Sequence, residues 1–178
     1  MTQLIKPGPE FRQLFHDFQH TAFRLEVRDE YGVSYEEDSF RKFLAGEPDD
    51  LEWMQSWLSM VKEATLAGRR FFRVRVVTLP LTDYSRFSLW GSKFTCQAGE
   101  DIYYLPRDQA ADLPNHDYWL FDSSKLVKLN FDEQSTWLGG EIMEDPHEIV
   151  KHNYWRDSAL HHAVRREDFA AEQSVQRY

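Results

Sequence analysis

Between Arg69 and Arg107 the chain carries seven basic residues against three acidic ones, although its 178 residues have a net charge of −9. Arg73 and Arg75 alternate with Phe72, Val74 and Val76. On a strand that spacing sends both guanidiniums to one face, together with Phe71 and Val77. Arginines on so apolar a strand need anionic partners, from the chain or from a ligand. A guanidinium fork suits the bidentate capture of a carboxylate or phosphate. Asp83, Tyr84, Arg86, Arg107, His116 and Trp119 stand near the ends of the same and neighbouring elements. With Arg73 and Arg75 they form the candidate set for binding a small anionic ligand. A second chemistry is open at His116 and Asp117, where an imidazole beside a carboxylate could serve as general base or nucleophile on such a substrate. The competing reading is structural, with the arginines neutralised internally by Asp83, Glu100, Asp101, Asp117 and Asp122.

Other constellations point away from metals and cofactors. His16 and His20 have helical i, i+4 spacing but no third ligand nearby, so no metal is expected. Gly139 and Gly140 do not make a phosphate loop, and no cofactor is expected. Cys96 is the sole cysteine, which excludes an internal disulfide and a thiolate cluster and fits a reducing cytoplasm. The acidic balance and the absence of a basic recognition helix argue against direct nucleic-acid binding. No apolar run approaches the roughly 20 residues of a membrane span. Trp53 and Trp57, four apart on an acidic helix, read as core or interface anchors, and through them a homodimer is conceivable.

These residues must be positioned by one domain, since 178 residues are enough for a single full core. The expected division is a leader over 1–10, a globular domain over 11–164 and a polar tail over 165–178. Phe11, Leu14, Phe15 and Phe18 have helical spacing, and Thr21–Val27 alternates like a half-buried strand. A short helix is expected over Glu36–Ala45. A longer one runs from Asp49 or Asp50 to Ala67, with Leu51, Met54, Leu58, Val61 and Leu66 as its stripe. The strand from Phe71 ends before Pro80, and Thr82 caps a further helix. Gly91–Gly99 reads as a loop or a ragged strand. Ile102–Leu105 is a strand. Tyr118–Asp122, Leu126–Phe131 and Thr136–Met143 make an antiparallel meander. Asp145 and Pro146 start a last helix that reaches about Val164. The sum is an α/β or α+β domain with a mixed, mostly antiparallel sheet of five to seven strands.

The segments His20–Glu26, Phe43–Pro48, Arg73–Val77, Pro80–Tyr84, Ala98–Asp101, Tyr104–Arg107 and His116–Asp122 resemble an actinobacterial family, the domain of unknown function 6879. The resemblance runs from about Phe11 to Val164. Members of that family often lie beside helix-turn-helix regulators in Streptomyces-like genomes, and Trp53–Arg107 is similar to the sensor half of some such regulators. The resemblance implies a cytoplasmic regulatory or ligand-sensing module, without catalysis, that works through a helix-turn-helix regulator or another protein. The alternative is a degenerate phosphodiesterase or hydrolase, suggested by a faint phospholipase-D-like half-domain topology. Against it, His116 is followed by Asp117 and Tyr118, so the lysine of a His-x-Lys motif is missing.

Overall fold

The computed structural model describes residues 2–173, which form one α+β domain. Its centre is a parallel trio, β2 (Thr21–Glu26), β3 (Arg70–Val77) and β4 (Asp101–Pro106). The antiparallel meander β5 (Tyr118–Phe121), β6 (Lys125–Phe131) and β7 (Trp137–Met143) joins the trio through β5 against β2. Two short edge strands, β1 (Thr2–Ile5) beside β7 and β8 (Val164–Arg165) beside β4, complete eight strands among the described residues. The sheet is mixed and mostly antiparallel, as expected, but larger than five to seven strands because both edges recruit the presumed leader and tail.

Strand alternation gives the sheet two different faces. Phe23, Leu25, Phe72, Val74, Tyr118 and Leu120 form one, wholly buried under helix α5 (Pro146–His162). Asp145 caps that helix by accepting from the His147 N–H, and Pro146 stands in its first turn. The opposite face is apolar only in its lower half. There Ala22, Phe71, Trp119 and Phe121 meet helix α1 (Pro9–Asp17) and helix α3 (Gln55–Leu66). Phe15 sits between the rings of Trp57, Phe71, Trp119 and Phe121. Burying a side chain of that size contributes about 1.5–3 kcal/mol.

Four expectations need correction. Residues 1–10 are no loose leader: Ile5 is buried in the core and its strand pairs along β7. Gly91–Gly99 is neither loop nor strand but the second half of helix α4 (Asp83–Ala98), which Thr82 caps and Gly99 ends at φ 122°. Its buried side carries Phe87, Leu89, Ser92 and Thr95, a polar-interrupted stripe that hides helical periodicity. The tail expected from Arg165 contains β8 and helix α6 (Arg166–Glu172), whose Phe169 stacks on Tyr104 at 4.7 Å between ring centroids. Its last residues, 174–178, lie outside the described residues. The long helix also starts later than expected. Leu51 takes a left-handed turn at φ 61°, a single 3-10 turn covers Glu52–Met54, and Leu66 is exposed. The remaining helix α2 (Glu37–Ala45) packs through Phe40 and Phe43 onto Tyr84, Phe87 and Trp90 of α4.

Candidate functional site: an arginine-floored, aromatic-walled cavity

The upper half of the second sheet face is charged. Strand register places Trp119, Arg24 and Arg73 side by side on β5, β2 and β3. The next row, two residues along, is Glu26, Arg75 and Tyr104. Both rows lie toward the carboxyl ends of the parallel trio, where sheets of this kind place ligands. Above them is a cavity of about 380 Å³. Trp57, Trp119, Trp137 and Phe131 contribute to its walls. The connection from β2 to α3 adds Tyr31, Glu36 and Trp53, and α4 adds Tyr84 and Phe87.

The floor is an ion network. Arg73 donates through Nε to Glu100 Oε1 at 2.5 Å and through Nη1 to Glu26. Glu100 also accepts from the Trp57 indole at 3.4 Å. Arg24 donates to Asp117 Oδ2 at 2.8 Å, and Asp117 further accepts from the Tyr31 hydroxyl at 2.7 Å and the Val27 N–H at 3.0 Å. Burial alone would raise the Glu26 carboxyl, but the guanidiniums of Arg75, Arg73 and Arg24 outweigh it and hold the group down at about 2. Glu36 behaves oppositely: burial raises it, only partly offset by the hydrogen bond it accepts from the Tyr84 hydroxyl at 2.7 Å.

Arg75 joins this network by charge but not by a hydrogen bond. Its Nη1 is 3.6 Å from Glu26 Oε2, and its side chain makes no hydrogen bond among the described residues. Three buried N–H groups on residues that line the cavity have no hydrogen-bond partner: Nε of Arg75, Nε of Arg24 and Nε1 of Trp53. Buried donors are nearly always satisfied, by protein, ordered water or ligand, and these three have no protein partner.

Of the candidate residues, the fold brings Arg73, Arg75, Tyr84 and Trp119 to the cavity. The other four lie elsewhere. Asp83 and Arg86 pair with each other at the exposed start of α4. Arg107 reaches Val27 O at 2.7 Å and Asp29 at 3.3 Å, tying strand ends together. His116 lies on the opposite side of the sheet, against α5, with Nε2 at 2.9 Å from Nε2 of His152. The expected grouping of His116 with the arginines is therefore corrected. Just ahead of β5, His116 turns to His152 on α5 while Asp117 turns to Arg24 on the other side, so the two share no substrate face. The internal-pairing alternative is right for Glu100 with Arg73 and for Asp83 with Arg86, whereas Asp117 pairs with Arg24, Asp101 pairs with Arg70 and Asp122 accepts the backbone N–H groups of Gln19, His20 and Thr21.

Arg24, Glu26, Tyr31, Glu36 and Trp53 escaped sequence reasoning. A signal existed: Arg24 and Glu26 have the same i, i+2 phase as Arg73 and Arg75. Two neighbouring strands with that phase produce a paired charge lattice. Among the described residues no group of three His, Cys, Asp or Glu is arranged to hold a metal, and no helix is long and apolar enough to cross a membrane. Cys96 sits outside the site, its thiol pushed up to about 12 chiefly by burial.

Fold and site together define a single α+β domain with a partly polar cavity over the carboxyl ends of a parallel strand trio. The chain belongs to the family described as domain of unknown function DUF6879, which matches residues 9–171. No curated protein matches it. Among solved structures it is similar to TrmBL2, an archaeal chromatin protein with a novel mode of DNA binding. That likeness has a TM-score of 0.50 at 9% identity over 92% of this chain and 53% of the other. Phosphatidylserine synthase from Haemophilus influenzae Rd KW20 aligns with a TM-score of 0.44 and 10% identity, over 93% of this chain and 39% of that one. The chain thus spans about half the length of the first and less of the second, and the likeness to TrmBL2 is one of fold alone.

Proposed function

We propose that the protein is a non-enzymatic ligand-sensing module of a cytoplasmic signalling system. A small molecule occupies the cavity, and a partner, a helix-turn-helix regulator of the kind encoded beside members of this family in actinobacteria, reads the occupancy. One observation carries the reading: Arg75 is presented on the cavity floor without a hydrogen bond, while Arg73, two residues away, is bonded to two carboxylates. A guanidinium held in that state has donors to offer to an incoming ligand. The cavity volume of about 380 Å³ suits a small organic molecule. The hydrolase alternative is less supported, because His116 and Asp117 do not face a common substrate position.

Two measurements test it. Native mass spectrometry of the protein purified from its own cells should detect a bound small molecule that is lost in Arg75→Met. Gel filtration with the neighbouring regulator should give a complex whose affinity differs between wild type and Arg75→Met. A bare protein that forms no complex with that regulator contradicts the proposal.

A further inference from the structure

Resting on the ligand-sensing reading above, we propose the ligand's chemical class. It is a flat, acceptor-rich organic molecule that is neutral or carries one negative charge, such as an aromatic monocarboxylate. The cavity rejects phosphate esters and organic cations.

The unmet groups set the polarity. Arg75 Nε–H, Arg24 Nε–H and Trp53 Nε1–H are all donors. Among the described residues no buried acceptor on the lining residues lacks a partner, since Asp49, which has one, is not part of the wall. The complementary molecule therefore brings oxygens or ring nitrogens and needs few donors of its own. The walls set the shape. Trp53, Trp57, Trp119 and Trp137 offer ring faces and edges, against which planar ligands pack best.

The charges set the limit. Arg24, Arg73 and Arg75 are balanced by Asp117, Glu100 and Glu26. On the wall, Arg12 adds one further base and Glu36 one further acid. No surplus positive charge remains for a phosphate dianion, and desolvating two charges there is expensive. A carboxylate needs only the one guanidinium whose bonds are open. A cation would meet four guanidiniums and leave the donors unsatisfied.

Isothermal titration calorimetry of the full chain decides this with four probes on one bicyclic ring: 2-naphthoate, 2-naphthamide, 2-naphthyl phosphate and 2-naphthylmethylammonium. The expected result is that naphthoate and naphthamide bind at least about tenfold more tightly than the phosphate and the ammonium. Arg75→Met should weaken naphthoate on the order of tenfold or more, and naphthamide less. Trp53→Phe, which keeps the ring and the charge balance, should weaken both by a few-fold, and it carries the test if Arg75→Met fails to fold. Binding of the phosphate or the ammonium at least as tightly as naphthoate overturns the ligand class and leaves the cavity a binding site. Binding by none of the four overturns both readings.

Discussion

Arg73 and Arg75 lie on one strand and one face, two residues apart, and should answer the same substitution in opposite ways. Arg73→Met removes the partner of two buried carboxylates, Glu26 and Glu100, which are 5% and 2% exposed. Glu26 then keeps only the 3.6 Å approach of Arg75, and Glu100 keeps the Trp57 indole at 3.4 Å. Breaking a buried ion pair from one side costs about 3–5 kcal/mol. For a chain of this size each kcal/mol moves Tm by about 2–4 °C, so Arg73→Met should melt roughly 6–20 °C lower. Arg75→Met breaks no hydrogen bond; it removes the looser 3.6 Å ion pair with Glu26 and leaves that carboxylate bonded to Arg73. It also replaces a desolvated guanidinium with an apolar side chain. Its stability should stay within about 1 kcal/mol of wild type or rise. Urea and thermal unfolding followed by circular dichroism measure both. Equal, large losses in the two variants would show that Arg75 is as structural as Arg73, and the reasoning about an open guanidinium would fail.

Burial holds His116 down at about 4, helped by Lys128, His152 and Lys151, and the buried His152 is also held below its usual range. Unfolded imidazoles protonate near pH 6.5, so below that pH the unfolded state binds more protons and stability falls as the pH drops toward about 4. Discounted for partial exposure, His116 should contribute on the order of 1–2 kcal/mol to that loss. Urea unfolding at pH 7.5 and 5 should show it, with a smaller difference in His116→Asn. Asp122→Ala strips the acceptor from three successive N–H groups at the α1–β2 junction and should cost about 1–3 kcal/mol in the same assay. Deleting residues 166–178 removes Phe169 from the ring of Tyr104. Tm should drop by at least about 4 °C, because a buried aromatic side chain of that size is worth about 2 kcal/mol or more.

Much of the framework was legible because its signals are local. The alternation of Phe71–Val77, the Thr82 cap, the Asp145–Pro146 start and the 118–143 meander all emerge where expected. The failures share a cause: they depend on partners far along the chain. Residues 2–5 become a strand only because β7 offers an open edge, and Phe169 becomes core only because Tyr104 waits beneath it. Arg24 and Glu26 read as the solvent side of a half-buried strand. They are buried because β3 and β5 flank them with Arg73, Arg75 and Trp119, and α1 and α3 pack on the same sheet face. His116 misled through adjacency, since being next to Asp117 in a strand lead-in means facing away from it. Half of the expected site, Arg73, Arg75, Tyr84 and Trp119, converges because it obeyed that parity.

On the proposed reading, three buried donors on residues around the cavity are kept open for a ligand's acceptors. Nitrogen-15 NMR observes them directly, through the guanidinium Nε–H signals of Arg24 and Arg75 and the indole N–H of Trp53. On addition of 2-naphthoate these three should shift together and slow in hydrogen exchange, while the Arg73 Nε–H, bonded to Glu100, moves little. Three signals that stay in place while resonances elsewhere respond would contradict the account.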